Sequence, residues 1–201
     1  MSFMLIEETP LDPAALPVEA FRAHLRLGTG FSQDDLQGPM LEATLRAAIA
    51  AIEARTGKIL LARGFALILT AWRDPGGQPL PLAPVATVTE VALRDAAGEE
   101  SPVEAARWWL QDDRHRPVLR PAGTALPAIP ARGAGVVRFT AGFGADWAMV
   151  PADLRQAVLL LAAHYYEYRD AGSLGEAAMP AGVAGLLGPW RALRLGAGGA
   201  A

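Results

Sequence analysis

Between Leu154 and Tyr168 the apolar positions recur every three or four residues: Leu154, Val158, Leu161, Tyr165 and Tyr168 share one face of a helix. Ala157, Leu159, Leu160 and Ala163 make the middle apolar almost all round, so residues 151–169 are expected to form a central helix covered on more than one side. Pro151 suits a first helical position, and Asp153 puts a carboxylate in the first turn, where the helix dipole favours it. Arg155, Gln156, Glu167 and Arg169 confine polar groups to the two ends, and Ala171-Gly172 stops the helix. Core packing is the ordinary use of such a stripe; contact with a second subunit is the sharper one.

Earlier in the chain, an extended lead gives way to a short helix opened by Pro17, with Val18, Phe21 and Leu25 on one face and Gly28 and Gly30 ending it. Ser32, Asp34 and Asp35 offer capping oxygens to a second helix, in which Leu41, Leu45, Ala48, Ile49 and Ile52 keep helical spacing until Thr56-Gly57. Gly38-Pro39 bends its start or marks the true one.

The period then changes. Phe65 to Trp72 reads as a strand ended by the turn residues Asp74-Pro75-Gly76-Gly77, and Val88 to Arg94 alternates before a turn at Asp95 to Gly98. Ala106 to Leu110 and Val118 to Arg120 are weaker strand candidates, and Gly135 to Ala141 is a good one. Residues 63–147 therefore look like a small antiparallel sheet inserted between helical segments. Pro79, Pro81 and Pro84 belong at its edges or connections, because proline cannot donate to a ladder. Beyond the central helix, Pro180 to Arg191 carries Leu186, Leu187 and Trp190 on a stretch rich in glycine, which argues against an independent helix. Such a segment either presents its apolar side chains to a partner or folds back on its own core. Gly196 to Ala201 is expected to be disordered. The fold class is α+β: a helical bundle with an inserted β region and an extended C-terminal arm. The divisions are 1–62, 63–147, 148–179 and 180–201 within a single domain.

Composition narrows the function. A chain of 201 residues with 52% hydrophobic residues can bury a real core, and a formal charge of -3 indicates neither a basic nucleic-acid coat nor a disordered acidic tail. The absence of cysteine excludes disulfides, thiolate zinc sites and cysteine nucleophiles, and suits synthesis in a reducing compartment such as the bacterial cytoplasm. The N-terminus lacks a basic region followed by a long apolar run, and the apolar core of the central helix is far shorter than the ~20 residues of a membrane span. No signal peptide and no membrane segment are expected.

Candidate chemistry is thin. His24, His115 and His164 form no HExxH pattern and no i, i+4 pair, and the Gly28-Gly30 and Gly142-Gly144 pairs lack the third glycine of a dinucleotide loop. Asp34-Asp35 and Asp112-Asp113 fall where a cap or a turn would want them. Arg107, Arg114, His115, Arg116 and Arg120 beside Trp108 and Trp109 have the composition of a nucleic-acid platform, or of a solvated sheet edge or subunit rim. No catalytic, cofactor or metal residue is assigned, and an enzyme is not expected; a hydrolase built on Asp112-Asp113 or His164 is a remote option.

The order of four segments resembles a known family. VEAFRAHLRL from Val18, DDLQGPMLEATLRAAIAAIEARTGKIL from Asp34, LPLAPVATVTEVALRDAAG from Leu80 with VVRFTAGFG from Val136, and PADLRQAVLLLAAHYYEYR from Pro151 followed by MPAGVAGLLGPWR are similar to the head-tail connector (adaptor) proteins of tailed bacteriophages and phage-like gene transfer agents. The resemblance spans nearly the whole chain and departs at Gly28 to Gln33 and in the Gly/Ala tail. It implies a non-enzymatic ring, twelvefold in the family, at the head-tail junction of a particle assembled in the bacterial cytoplasm. Implied partners are further copies of the chain, the portal protein, the next tail-side connector or stopper protein, and double-stranded DNA in transit. It also implies a portal-binding arm at Leu186, Leu187, Trp190 and Arg191, and subunit contacts near Arg155, Tyr165 and Glu167. The alternative is a small accessory nucleic-acid-binding protein using the Arg107 to Arg120 cluster.

Overall fold

The computed structural model describes residues 2–27, 34–168 and 179–191, with the backbone alone for 34–36. Along these the chain forms β1 (Phe3–Glu7), α1 (Val18–His24), α2 (Asp34–Thr56), β2 (Arg63–Leu69), β3 (Gln78–Pro79), β4 (Val85–Arg94), β5 (Glu100–Pro102), β6 (Trp108–Gln111), β7 (Val118–Pro121), β8 (Ala134–Ala141), α3 (Ala152–Glu167) and α4 (Ala181–Leu187). The class is α+β, with antiparallel sheets and helices burying two separate apolar clusters.

On the helical side, the 3.6-residue stripe of α2 (Leu41, Leu45, Ala48, Ile49, Ile52) meets that of α3 (Leu154, Ala157, Val158, Leu161), and Phe21 of α1 joins them. Pro151 caps α3 rather than being its first residue, and α2 runs through Gly38-Pro39 without stopping. Thr56 closes α2 by bonding back to the Ile52 carbonyl, and Gly57 then takes φ +67°, a left-handed conformation that glycine adopts without steric cost. The proposed caps at Ser32, Asp34 and Asp35, and the stop at Ala171-Gly172, lie outside the described residues and side chains.

The larger sheet has the order β1-β2-β8-β4-β5 and the smaller one β3-β7-β6. Leu5, Leu67, Val137 and Val91 lie in register across four strands on the face that packs into the second cluster, where Phe65 stacks on Phe139. Leu119 of β7 is buried in that same cluster, which therefore spans both sheets. Asp95 Oδ1 accepts from the amides of Ala97 and Glu99 in the turn after β4, as its sequence requires.

Three expectations are corrected. The β region is not wholly inserted, because the lead at Phe3–Glu7 is a strand of the larger sheet. The candidate at Ala106 to Leu110 begins as a 3-10 turn, Ala105–Arg107, and becomes a strand only at Trp108. The segment expected as an extended arm is, over residues 179–191, the helix α4 and a 3-10 turn at Gly188–Trp190 packed on the body. Glycine costs up to about 1 kcal/mol at each of Gly182 and Gly185. Burial of Val183, Leu187 and Trp190 is worth about 2 kcal/mol apiece, so packing wins. Residues 192–201, the rest of that expected arm, lie outside the described residues.

Candidate assembly surfaces

Trp190 is where three parts of the chain meet. It is 4% exposed, its indole N–H donates to Asp153 Oδ2 at the start of α3, and Phe143 meets it edge-on at 5.4 Å. The Arg114 guanidinium lies 4.2 Å from the ring centroid on another side. The carbonyl of Arg114 in turn accepts from Lys58 Nζ at 2.8 Å, and Lys58 is 1% exposed just past the end of α2. Burial pushes the Lys58 ammonium below its ordinary pKa, with the Asp113 carboxylate opposing the shift. Asp113 accepts from the amides of His115 and Arg116 at 2.7 Å each, which holds its own pKa down. Burial and the Lys58 charge lower that of His115. The turn between β6 and β7 is thereby fastened to the helical side.

Of the four residues assigned to a portal-binding arm, Leu187 and Trp190 are buried in the helical cluster, Leu186 is half-buried against it, and Arg191 is exposed. Of the three assigned to subunit contacts, Tyr165 is half-buried on the helical cluster and Glu167 is exposed at the end of α3. Arg155 is half-buried, and its Nε is shielded from solvent with no hydrogen-bond partner among the described residues. His164 sits between Tyr165 and Tyr168, with ring centroids 6.3 and 4.7 Å away.

The basic and tryptophan cluster does not come together as one platform. Arg114 is stacked on Trp190, and Arg120 bonds Gln111 and the Gly76 carbonyl. Trp108 packs into the second apolar cluster, leaving Arg107, Arg116 and the half-exposed Trp109 outward. Asp113 is used by its own turn, as the spacing suggested, and among the described residues no three His, Asp or Glu side chains converge on a point that could hold a metal ion. No described helix is long and apolar enough to cross a membrane.

Sequence reasoning missed a set of ion pairs on the larger sheet. Arg138 of β8 reaches Glu90 at 2.7 Å, Glu100 at 2.9 Å and Glu8 at 3.3 Å, while Arg94 also holds Glu100. Hydrogen bonds from Arg94 and then Arg138 draw the Glu100 pKa down, and Glu100 raises that of Arg138. Nearer the helices, buried Arg63 joins Glu53 of α2 at 2.7 Å and Glu7 at 3.3 Å. Burial outweighs Arg63 there, so the Glu53 pKa is raised. The available signal was Glu90 and Arg138 standing among apolar neighbours in two strand candidates. Phe3, Met4 and Ile6 of β1 are also exposed, and the reading of that segment as a plain lead gave no warning of it.

No protein-family model and no functionally curated protein matches the chain. Solved structures do. A chain in the neck of an empty gene transfer agent particle, computed with C6 symmetry, is 54% identical, with 97% of this chain and 98% of that one covered and a TM-score of 0.88. A chain in the virion of a native gene transfer agent particle is 54% identical over the same shares of both chains, with a TM-score of 0.85. The chain belongs to the neck-connector family of gene transfer agents. A third relative, in the neck of a native particle computed with C12 symmetry, is 51% identical at a TM-score of 0.83 over the same shares. The connector fold is thus matched from end to end, the sheet region included.

Proposed function

We propose that the chain is a structural adaptor at the head-tail junction of a gene transfer agent particle. Copies form a ring between the portal and the tail, DNA passes through its lumen, and the far face gives the next connector or stopper protein a platform. The observation that carries this reading is the near-full-length, 54% identical match to a chain in the neck of such a particle. Relatives in necks computed with C6 and C12 symmetry support a ring of copies, and a net charge of -3 suits a wall along which DNA slides without sticking. In this reading the C-terminal segment meets the portal through the side that carries Leu186 and Arg191, while Leu187 and Trp190 anchor it to the body. In the same reading Arg155, whose Nε has no hydrogen-bond partner among the described residues, joins Tyr165 and Glu167 in the contacts between copies. No turnover is part of this role. The dispersal of the basic cluster removes the main support for a nucleic-acid-binding accessory.

The test is co-sedimentation of purified protein with its portal ring, followed by electron microscopy of the complex. A stacked ring on the portal is the expected result, weakened by Arg191→Glu combined with Leu186→Asp. A chain that neither forms rings nor binds the portal ends the reading.

A further inference from the structure

The described residues contain four sheet edges, and they are not alike. β3 is two residues ending in Pro79, and β5 is three residues holding Glu100 and Pro102. Shortness, charge and proline are the devices by which edges discourage pairing. β1 and β6 have no proline and run to five and four residues. They carry Phe3 (63% exposed), Met4 (59%), Ile6 (40%) and Trp109 (50%), most of the large apolar side chains left exposed among the described residues. The backbone of β1 is open as well. The Glu8 amide donates to the Gly64 carbonyl and the Thr70 amide to that of Ser2, so even-numbered residues face β2. The N–H and C=O groups of Phe3, Leu5 and Glu7 therefore point to the free side.

A closed ring joins its copies through two different patches on each subunit, one on either flank. The molecule offers two open apolar edges, one on each sheet. Their charges also differ: β1 runs into the partly exposed Glu7 and Glu8, which also pair with Arg63 and Arg138 of their own chain, whereas exposed Arg107 and Arg116 flank β6, with exposed Asp112 between them and Asp113 occupied by its own turn. We propose that β1 of one copy docks along β6 of the next copy in the ring, adding main-chain hydrogen bonds across the joint with Trp109 as its apolar anchor. This rests on the ring reading above.

The chain has no cysteine, so introduced thiols are unambiguous. Protein carrying both Met4→Cys and Asp112→Cys, the latter just past the end of β6 so that the Trp109 anchor is kept, is expected, once assembled and treated with a short bismaleimide, to give a ladder of covalent multimers. Either single variant alone should give no ladder, and an equal mixture of the two should stop at dimers. Ile6→Lys should abolish rings in electron micrographs without lowering the melting temperature of the monomer. Rings that form normally with Ile6→Lys, or that form with both cysteines yet yield no ladder, overturn the pairing and leave the adaptor reading intact. Cross-links from position 112 to the portal protein overturn it in favour of a portal contact. Failure of the unaltered chain to form rings, alone or on the portal, removes the adaptor reading and this pairing together.

Discussion

The helical half and the sheet half solve the same problem differently. In the helical half nearly every large apolar side chain is spent within the chain: α2 and α3 cover each other, Phe21 fills one end, and α4 with Trp190 closes the other. In the sheet half only one face is spent this way, while the other carries the Arg138 ion pairs and two edges remain open. Burial sets how firmly the first half holds together. Register is set in the second, because ion pairs at partly exposed sites contribute little stability but disfavour wrong alignments.

The sharpest way to break this contrast is at Trp190. Trp190→Ala should destabilise the fold by about 4 kcal/mol, against about 1 kcal/mol for Arg114→Ala, which removes only a cation–π contact. Denaturant unfolding measures both, and equal small effects would mean that α4 does not belong to the helical core. Next is the junction of the halves, where Glu53→Ala leaves buried Arg63 with Glu7 alone and should cost about 3 kcal/mol. The pH dependence follows from the direction of each shift. The Glu53 pKa is raised, so its contribution is complete below its ordinary 4.5 and is lost as pH rises through the folded value. For Glu100 and Asp113, whose values are depressed, the contribution is present above 4.5 and 3.8 respectively and is lost as pH falls. Melting temperatures of Glu53→Gln against the unaltered chain from about pH 4 to about pH 7 should show the decline with rising pH flattened in the variant.

On the sheet face the effects are smaller. Arg138→Ala should cost about 1 kcal/mol at low salt and less at high salt, since the pairs are partly exposed and screened. A loss that ignores salt would mean that Arg138 acts through its aliphatic stem. Smallest is a gain: a Cβ added at Gly185 meets nothing within 4 Å, so Gly185→Ala should stabilise α4 by about 0.7 kcal/mol. No gain in unfolding free energy would show that the helix is held by packing alone.

What was legible in the sequence was whatever had a clean period. The stripes of α2 and α3 and the strand Ala134–Ala141 could be read because one face is buried and the pattern repeats. β1 was hidden because Phe3, Met4, Leu5 and Ile6 are all apolar, as an edge strand with apolar side chains on both faces does not alternate. α4 was misjudged because its glycines speak locally while Val183, Leu187 and Trp190 act through partners distant in sequence. The arginine and tryptophan cluster looked like one surface because its members are neighbours in sequence; in the fold they point into three different environments. Lys58 carries no sequence signal of burial, since the carbonyl that receives it belongs to residue 114.

The place of β8 in the larger sheet has a consequence for synthesis. It lies between β2 and β4, so the sheet cannot close until residue 141 has been made, and α2 waits likewise for α3. All eight strands exist before α3 and α4 have been made, but contacts of such long sequence separation form slowly in either half. The first of the described strands, β1, has only β2 to pair with until β8 has been made. In the joint proposed above, a chain shorter than 141 residues therefore lacks the finished sheet that carries one of the two edges, which disfavours its capture into an assembly.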